Sequence, residues 1–375
     1  MSNCGTLIPR EILTDILSRL PVKSLCRFKC VSPSWNSLIC DPYFAKTHLN
    51  RTNTQNPKYL DDQRNIVISS SLNLYSIDIG NANPTTAKLD FPMLQNHAAN
   101  SRVKVWSSCD GLLLVSYDDY SNLLLLNPST RECKKLPAPS VVPNPVGTCW
   151  YGYGVGYDSS TDDYNVVMLS CCNNGSAQIN ISIVDVYSLK TNAWRTIQHN
   201  HYFVVPTSFL CGGVFLNGCL HWLCWRNGSY VIGAFNLSDQ IFREMPMPAS
   251  LCGGCGILRY FVEVVGGCLC LIERLPSYKS EVWKMEEYGV GESWTNLTID
   301  LPTGTPSLCL LCQLAEDKLL FANSRRHGKN LVVYDPKKET LRDTVVAGIP
   351  SEFTFRHAYV ESLVSPILGG GIGRQ

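Results

Sequence analysis

Two cysteine pairs have the spacing of metal ligands, Cys252-x-x-Cys255 and Cys309-x-x-Cys312. Four thiolates could hold zinc in a tetrahedral site. However, the first pair lies in a Gly-rich turn and the second in a strand-like run one repeat further on. Residues three apart in a strand point to opposite faces, so Cys309 and Cys312 do not converge, and no metal is expected. His199-Asn-His201 could offer two nitrogen ligands, but no carboxylate or third histidine lies nearby, and a polar loop is the simpler reading. Gly152-x-Gly154-x-Gly156 looks like a phosphate-cradling loop. Its interleaved tyrosines and Asp158 favour β structure instead, and the helix such a loop feeds does not follow. Asp162-Asp163 reads as a turn, and no Gly-x-Ser-x-Gly nucleophile motif occurs. The chemistry-bearing residues therefore predict a non-catalytic chain without a cofactor.

Eighteen cysteines could also signal a disulfide framework. They are scattered through apolar runs such as Gly267-Cys268-Leu269-Cys270-Leu271, where free cysteine acts as a small buried hydrophobe. Met1 to Thr6 lacks a basic segment leading into an apolar one, so no secretory signal is read and a reducing compartment is expected. The sequons at Asn174, Asn180, Asn227, Asn236 and Asn296 then carry no sugar. A formal net charge of +1 predicts neither nucleic-acid binding nor electrostatic membrane attachment. No run approaches the roughly eighteen apolar residues of a membrane-spanning helix. Position 2 is Ser2, not glycine, so myristoylation is not expected. The expected location is the cytoplasm or the nucleus.

The elements that position these residues fall into two kinds. Residues 1–50 read as a head of three short amphipathic helices. Pro9 suits a first helical position, and Glu11 then meets the positive end of the helix dipole. Ile12, Leu13, Ile16, Leu17 and Leu20 share one face, and Pro21 ends that helix. Val22 to Cys30 forms the second helix. Ser32 caps a third with Pro33 at its first position, and Trp35, Leu38 and Ile39 on its apolar side. Asp41-Pro42 starts a further turn carrying Tyr43 and Phe44. So short a segment cannot bury its own apolar surface and must be completed by something else.

Past residue 55 the pattern changes to short apolar runs punctuated by Gly, Asn, Asp and Pro. One run recurs ahead of Ile79, Pro128, Leu189, Leu237, Met285 and Pro336, at steps of about fifty residues. The single longer step contains the extra stretches Val141 to Tyr151 and Cys171 to Ala177. A Gly or turn precedes a second strand in several units, as in Asp110-Gly111-Leu112 and Asn217-Gly218-Cys219, a hairpin signal. A third element closes each unit, as in Trp194-Arg-Thr-Ile197 and Phe242-Arg-Glu-Met245. Four-stranded units of this length match kelch-like propeller blades. Six are counted, with the strand at Ala358 to Val364 pairing with the first unit to close the ring. Seven blades or an open sandwich would also accommodate the pattern. The fold class expected is a small all-α head plus an all-β propeller over 51–365, followed by a disordered Gly-rich tail over 366–375.

The head resembles the F-box in Ile8-Pro9-x-Glu11, in Leu17 to Leu25, in Arg27 to Ser32, in Trp35, and in Asp41-Pro42-x-Phe44. Ile8 and Pro33 depart mildly from the commoner Leu and Lys. The repeats resemble the plant F-box-associated interaction domain in Asn127-Pro-Ser-Thr-Arg131, Gly154-x-Gly156-Tyr-Asp158, Gly218-x-Leu220-His-Trp222 and Val282-Trp283-x-Met285. The resemblance implies the substrate receptor of a ubiquitin ligase. The head would bind a Skp1-type adaptor, and through it a cullin, by Ile8, Pro9, Ile12, Leu13, Leu17, Leu20, Pro21, Leu25, Phe28 and Trp35. Some of these must instead hold the helices together. A target protein would bind one rim of the ring, where loops on a rigid scaffold concentrate recognition. The longest loops carry Trp150, Tyr151, His199, His201, Tyr202, Phe203 and Tyr278, aromatics of the kind that anchor interfaces. The alternative for each is that it covers a blade edge or plugs the channel. A scaffold acting without cullin and a propeller enzyme with a helical cap remain the competing readings.

Overall fold

The computed structural model describes residues 8–55, 64–70, 73–80, 84–94, 103–117, 122–139, 148–173, 179–198, 205–206, 212–226, 229–251, 260–275, 279–300, 308–323, 330–350 and 355–367. Most of the Gly-rich tail lies outside them.

The head has four helices rather than three: α1 (Arg10–Leu17), α2 (Val22–Phe28), α3 (Pro33–Ile39) and α4 (Pro42–Gln55). Pro9 stands just before the first turn of α1, not within it. α1 stops at Leu17, and Ser18 to Leu20 continue in tighter turns towards Pro21. Ser32 caps α3 as expected, its Oγ accepting from the Trp35 amide at 3.2 Å. α4 runs well beyond the turn expected at Asp41-Pro42, although most of it is polar. Its buried face is a narrow one of Phe44, Ala45, His48 and Leu49, at the spacing of one helical stripe.

The rest is a six-bladed propeller of antiparallel sheets. Blade 1 orders Phe355–Val360, Arg64–Ser70, Asn73–Asp78 and Thr86–Leu89 from the axis outward, so the C-terminal strand closes the ring. It pairs Arg64 with Val360 through Ser69 with Phe355. Blades 2, 5 and 6 each hold four consecutive strands, beginning at Lys104, Tyr260 and Leu308. Blade 4 has a fifth short strand, with Val205–Pro206 and Val214–Leu216 both pairing with Cys219–Arg226. The long sequence step is blade 3, whose first three strands are Thr148–Asp158, Asp163–Asn173 and Ile179–Ser188. Part of the extra length, Thr148 to Tyr151 and Cys171 to Asn173, lies in lengthened strands.

Among the described residues, six apolar clusters lie between neighbouring blades. One joins Val67 and Tyr359 of blade 1 to Leu113 of blade 2, and another joins Ile66 of blade 1 to Leu320 of blade 6. A blade thus buries each face chiefly against its neighbour. Asp110-Gly111 and Asn217-Gly218 both adopt positive φ, the paired left-handed conformation that two-residue hairpin turns require. Gly154 and Gly156 lie in a strand packed against blade 4. A Cβ on Gly154 would come within 2.8 Å of Leu220, and one on Gly156 within 2.5 Å of Phe215, so blades 3 and 4 meet across them.

Candidate binding face of the helical head

Leu17, Val22, Leu25, Leu38, Ile39, Phe44 and Ala45 form the core of the head, together with Leu363 from the far end of the chain. Leu13, Leu20, Phe28 and Trp35 pack around that core half-buried. Phe28 and Trp35 meet edge to face with ring centroids 5.6 Å apart. The ten residues expected to face an adaptor therefore divide. Leu17 and Leu25 are buried, whereas Ile8 and Ile12 are 57% and 53% exposed, and Pro9 and Pro21 are also at the surface.

Ile16 continues the exposed stripe one turn beyond Ile12 and is 47% exposed. Val31 and Tyr43 add further exposed apolar surface on the head. These three were not among the expected contact residues. The spacing of Ile16 from Ile12 was a signal available in the sequence, while Val31 and Tyr43 gave none because their exposure depends on how the helices pack.

Polar contacts hold this face in shape. The Asp15 carboxylate accepts from Arg51 Nη2 at 2.7 Å and from Arg19 Nη2 at 2.9 Å. The bonds from Arg51, then Arg19, hold that carboxyl below its usual range. Arg51 Nη1 also donates to Ser18 Oγ, tying α4 to α1. His48 on α4 donates from Nε2 to the Leu20 carbonyl at 2.9 Å. Burial lowers its pKa, against the opposing effect of that bond. A groove of about 690 Å³ runs between α1 and α4, past Arg10, Glu11, Thr14 and Thr47.

The head is bolted to three successive blades. Lys23 Nζ lies 3.2 Å from both Asp78 and Glu361 on blade 1 and its exit. Cys26 Sγ donates to the Ser129 carbonyl of blade 2 at 3.6 Å. Lys46 Nζ donates to Asp162 of blade 3 at 2.6 Å and to the Tyr157 hydroxyl. Leu49 of α4 belongs to the cluster between blades 2 and 3.

On the propeller, Tyr151 is half-buried against the same cluster. Trp150 occupies the same strand, and its side chain lies outside the described residues, as do His199, His201, Tyr202, Phe203 and Tyr278. A cavity of about 340 Å³ opens along the axis. Two of its hydroxyls are bonded within the wall, Ser107 Oγ to Gly213 O at 2.6 Å and Ser108 Oγ to Ala358 O at 2.9 Å. Burial pushes His357 there down to about 4. Among the described residues no three His, Cys, Asp or Glu side chains are grouped to hold a metal. Cys252 and Cys255 lie outside them, and Cys312 is buried. No helix of the described residues is long and apolar enough to cross a membrane.

Comparison with known proteins places both parts. The F-box domain model matches residues 6–47. The model for the F-box associated beta propeller domain matches residues 63–366. The F-box protein CPR1 of Arabidopsis thaliana is 30% identical over 382 residues, spanning 95% of this chain and 88% of that protein. The F-box/kelch-repeat protein At3g23880 of the same plant is 30% identical over 302 residues, with 77% and 78% covered. The F-box protein At5g49610, also from A. thaliana, is 28% identical over 355 residues, with 90% and 91% covered.

Proposed function

Because the chain belongs to the F-box proteins that carry an F-box associated beta propeller domain, we propose that it is the substrate-recognition subunit of an SCF-type ubiquitin ligase. The observation that carries this reading is the stripe of Ile8, Ile12 and Ile16. These are three large apolar side chains left exposed at four-residue spacing, Ile8 just ahead of α1 and Ile12 and Ile16 on it, beside the surface prolines Pro9 and Pro21. A large apolar stripe open to water marks a surface that a partner covers. In this reading those residues and Val31 touch a Skp1-type adaptor. Leu13, Leu17, Leu20, Leu25, Phe28 and Trp35 fix the shape that is presented.

The adaptor links the chain to a cullin, and the propeller holds a target protein. Trp150, Tyr151, His199, His201, Tyr202, Phe203 and Tyr278 are its proposed contacts. No bond is made or broken by this chain. Its contribution is proximity, because a lysine held near a charged ubiquitin carrier reacts at a high effective concentration. The work is done in the cytoplasm or the nucleus.

The test is a pull-down of the full chain with purified Skp1, repeated with cullin added. Retention of Skp1, and of cullin through it, supports the reading. Retention of Skp1 without cullin would favour a scaffold, and loss of both removes the ligase role.

A further inference from the structure

The C-terminal segment does more than close the ring. After the closing strand ends at Val360, the chain leaves the propeller and crosses to the head. Glu361 accepts from Asn65 at 3.3 Å and lies 3.2 Å from Lys23 of α2. Ser362 is fully buried. Leu363 enters the head core beside Leu17, Leu25 and Phe44, while Val364 enters the cluster between blades 2 and 3 with Leu49. Adjacent residues thus serve two different cores.

One side chain secures the crossing. Asn127 donates from Nδ2 to Ser362 O at 3.1 Å and to Val364 O at 2.7 Å. Its Oδ1 meanwhile accepts from the Ser129 amide at 2.7 Å and caps its own turn. Asn236 of blade 4 caps the corresponding turn through Ser238 at 2.9 Å. In blade 2 the same device is doubled into a latch on the C-terminus. The motif Asn127-Pro-Ser-Thr-Arg131 therefore carries a duty that a turn alone does not explain.

We infer that residues 361–365 form a clasp that completes the head only once the propeller ring has closed, so that a competent adaptor-binding head reports a finished propeller. Leu363 reaches the head only when Phe355–Val360 is paired with Arg64–Ser69, because just two residues separate Leu363 from that strand. A chain that stops short of it, or fails to close the ring, lacks one of the buried side chains of the head core. The consequence for adaptor binding rests on the ligase reading, while the clasp itself does not.

Two full-length variants test this. Asn127→Asp keeps the acceptor that caps the turn and replaces the amide donor with an oxygen that repels the Ser362 and Val364 carbonyls. Leu363→Asp puts a charge into the head core. Hydrogen exchange of α1 to α3 and affinity for purified Skp1 are measured for both. Faster exchange in the helices, Skp1 affinity reduced about tenfold or more, and unchanged exchange in blades 4 to 6 are expected. Unchanged exchange in the helices overturns the inference. Equal loosening of blades 4 to 6 also overturns it, since head and ring would then be one cooperative unit without a separate clasp. If the wild-type chain itself fails to bind Skp1, the ligase reading falls, and exchange alone decides the clasp.

Discussion

Replacing Ile12 with Asp alters a side chain that is already 53% exposed, so the head keeps its fold. Binding to Skp1 should fall by about tenfold or more, since a charge must then be desolvated in the interface. Leu25→Ala has the opposite signature. It empties a wholly buried position and should cost about 2–5 kcal/mol in denaturant unfolding. If Ile12→Asp instead destabilised the chain as much as Leu25→Ala, the stripe would belong to the core.

Three histidines set an acid limit on stability. Burial lowers the pKa of His48, takes His221 to about 4, and takes His357 to about 4. His221 is enclosed, with Nε2 2.7 Å from the Tyr288 hydroxyl. Each ring stays neutral in the folded chain and protonates more readily when unfolded, near the ordinary 6.5. Stability is therefore full above that value and declines as the pH falls from 6.5 towards 4. Thermal melts across this interval check it, and His221→Asn should flatten the slope. A slope unchanged in that variant would assign the effect elsewhere.

At the scale of elements, blades 3 and 4 meet where Gly154 faces Leu220 and Trp222. Gly154→Val forces those side chains aside and should cost about 1–3 kcal/mol, with a shift in tryptophan fluorescence from the buried Trp222. An unchanged melting temperature would mean that the blades separate freely there. Most elements were legible in advance, because strand alternation and Asp-Gly or Asn-Gly turns are local. The third strands ahead of Pro128, Leu237 and Pro336 stand where the repeat put them. The full length of α4 was hidden, since its buried stripe consists of Phe44, Ala45, His48 and Leu49 within an otherwise polar run. The division of the adaptor face was hidden for a related reason. Leu17 and Ile12 lie on neighbouring parts of one helical stripe, and only the arrival of α2, α3 and Leu363 buries one and leaves the other.

For the whole molecule, the closing strand is the element on which the ring depends. A chain ended before Phe355 leaves blade 1 with three strands and exposes the Ile66 and Val67 faces that pack on its neighbours. It should lose the cooperative unfolding transition, whereas a chain ended after Ile367 should melt as the full chain does. Calorimetry distinguishes these, and a cooperative melt without the strand would show that five blades suffice. No local pattern foretold Leu363 in the head, because the residues it packs against are some three hundred positions away in the sequence.

The seating of the head on Asp78, Ser129 and Asp162 has a mechanical meaning. Contacts on three successive blades resist rocking better than one hinge would, although each is a surface ion pair or a thiol bond of small strength. Under the proposed function, the span from the exposed stripe to a protein held by the propeller would be set by the fold and not by a swinging tether. Which lysine of such a protein came within reach would then be chosen by that protein's own shape, as a workpiece in a vice meets the tool only where it protrudes.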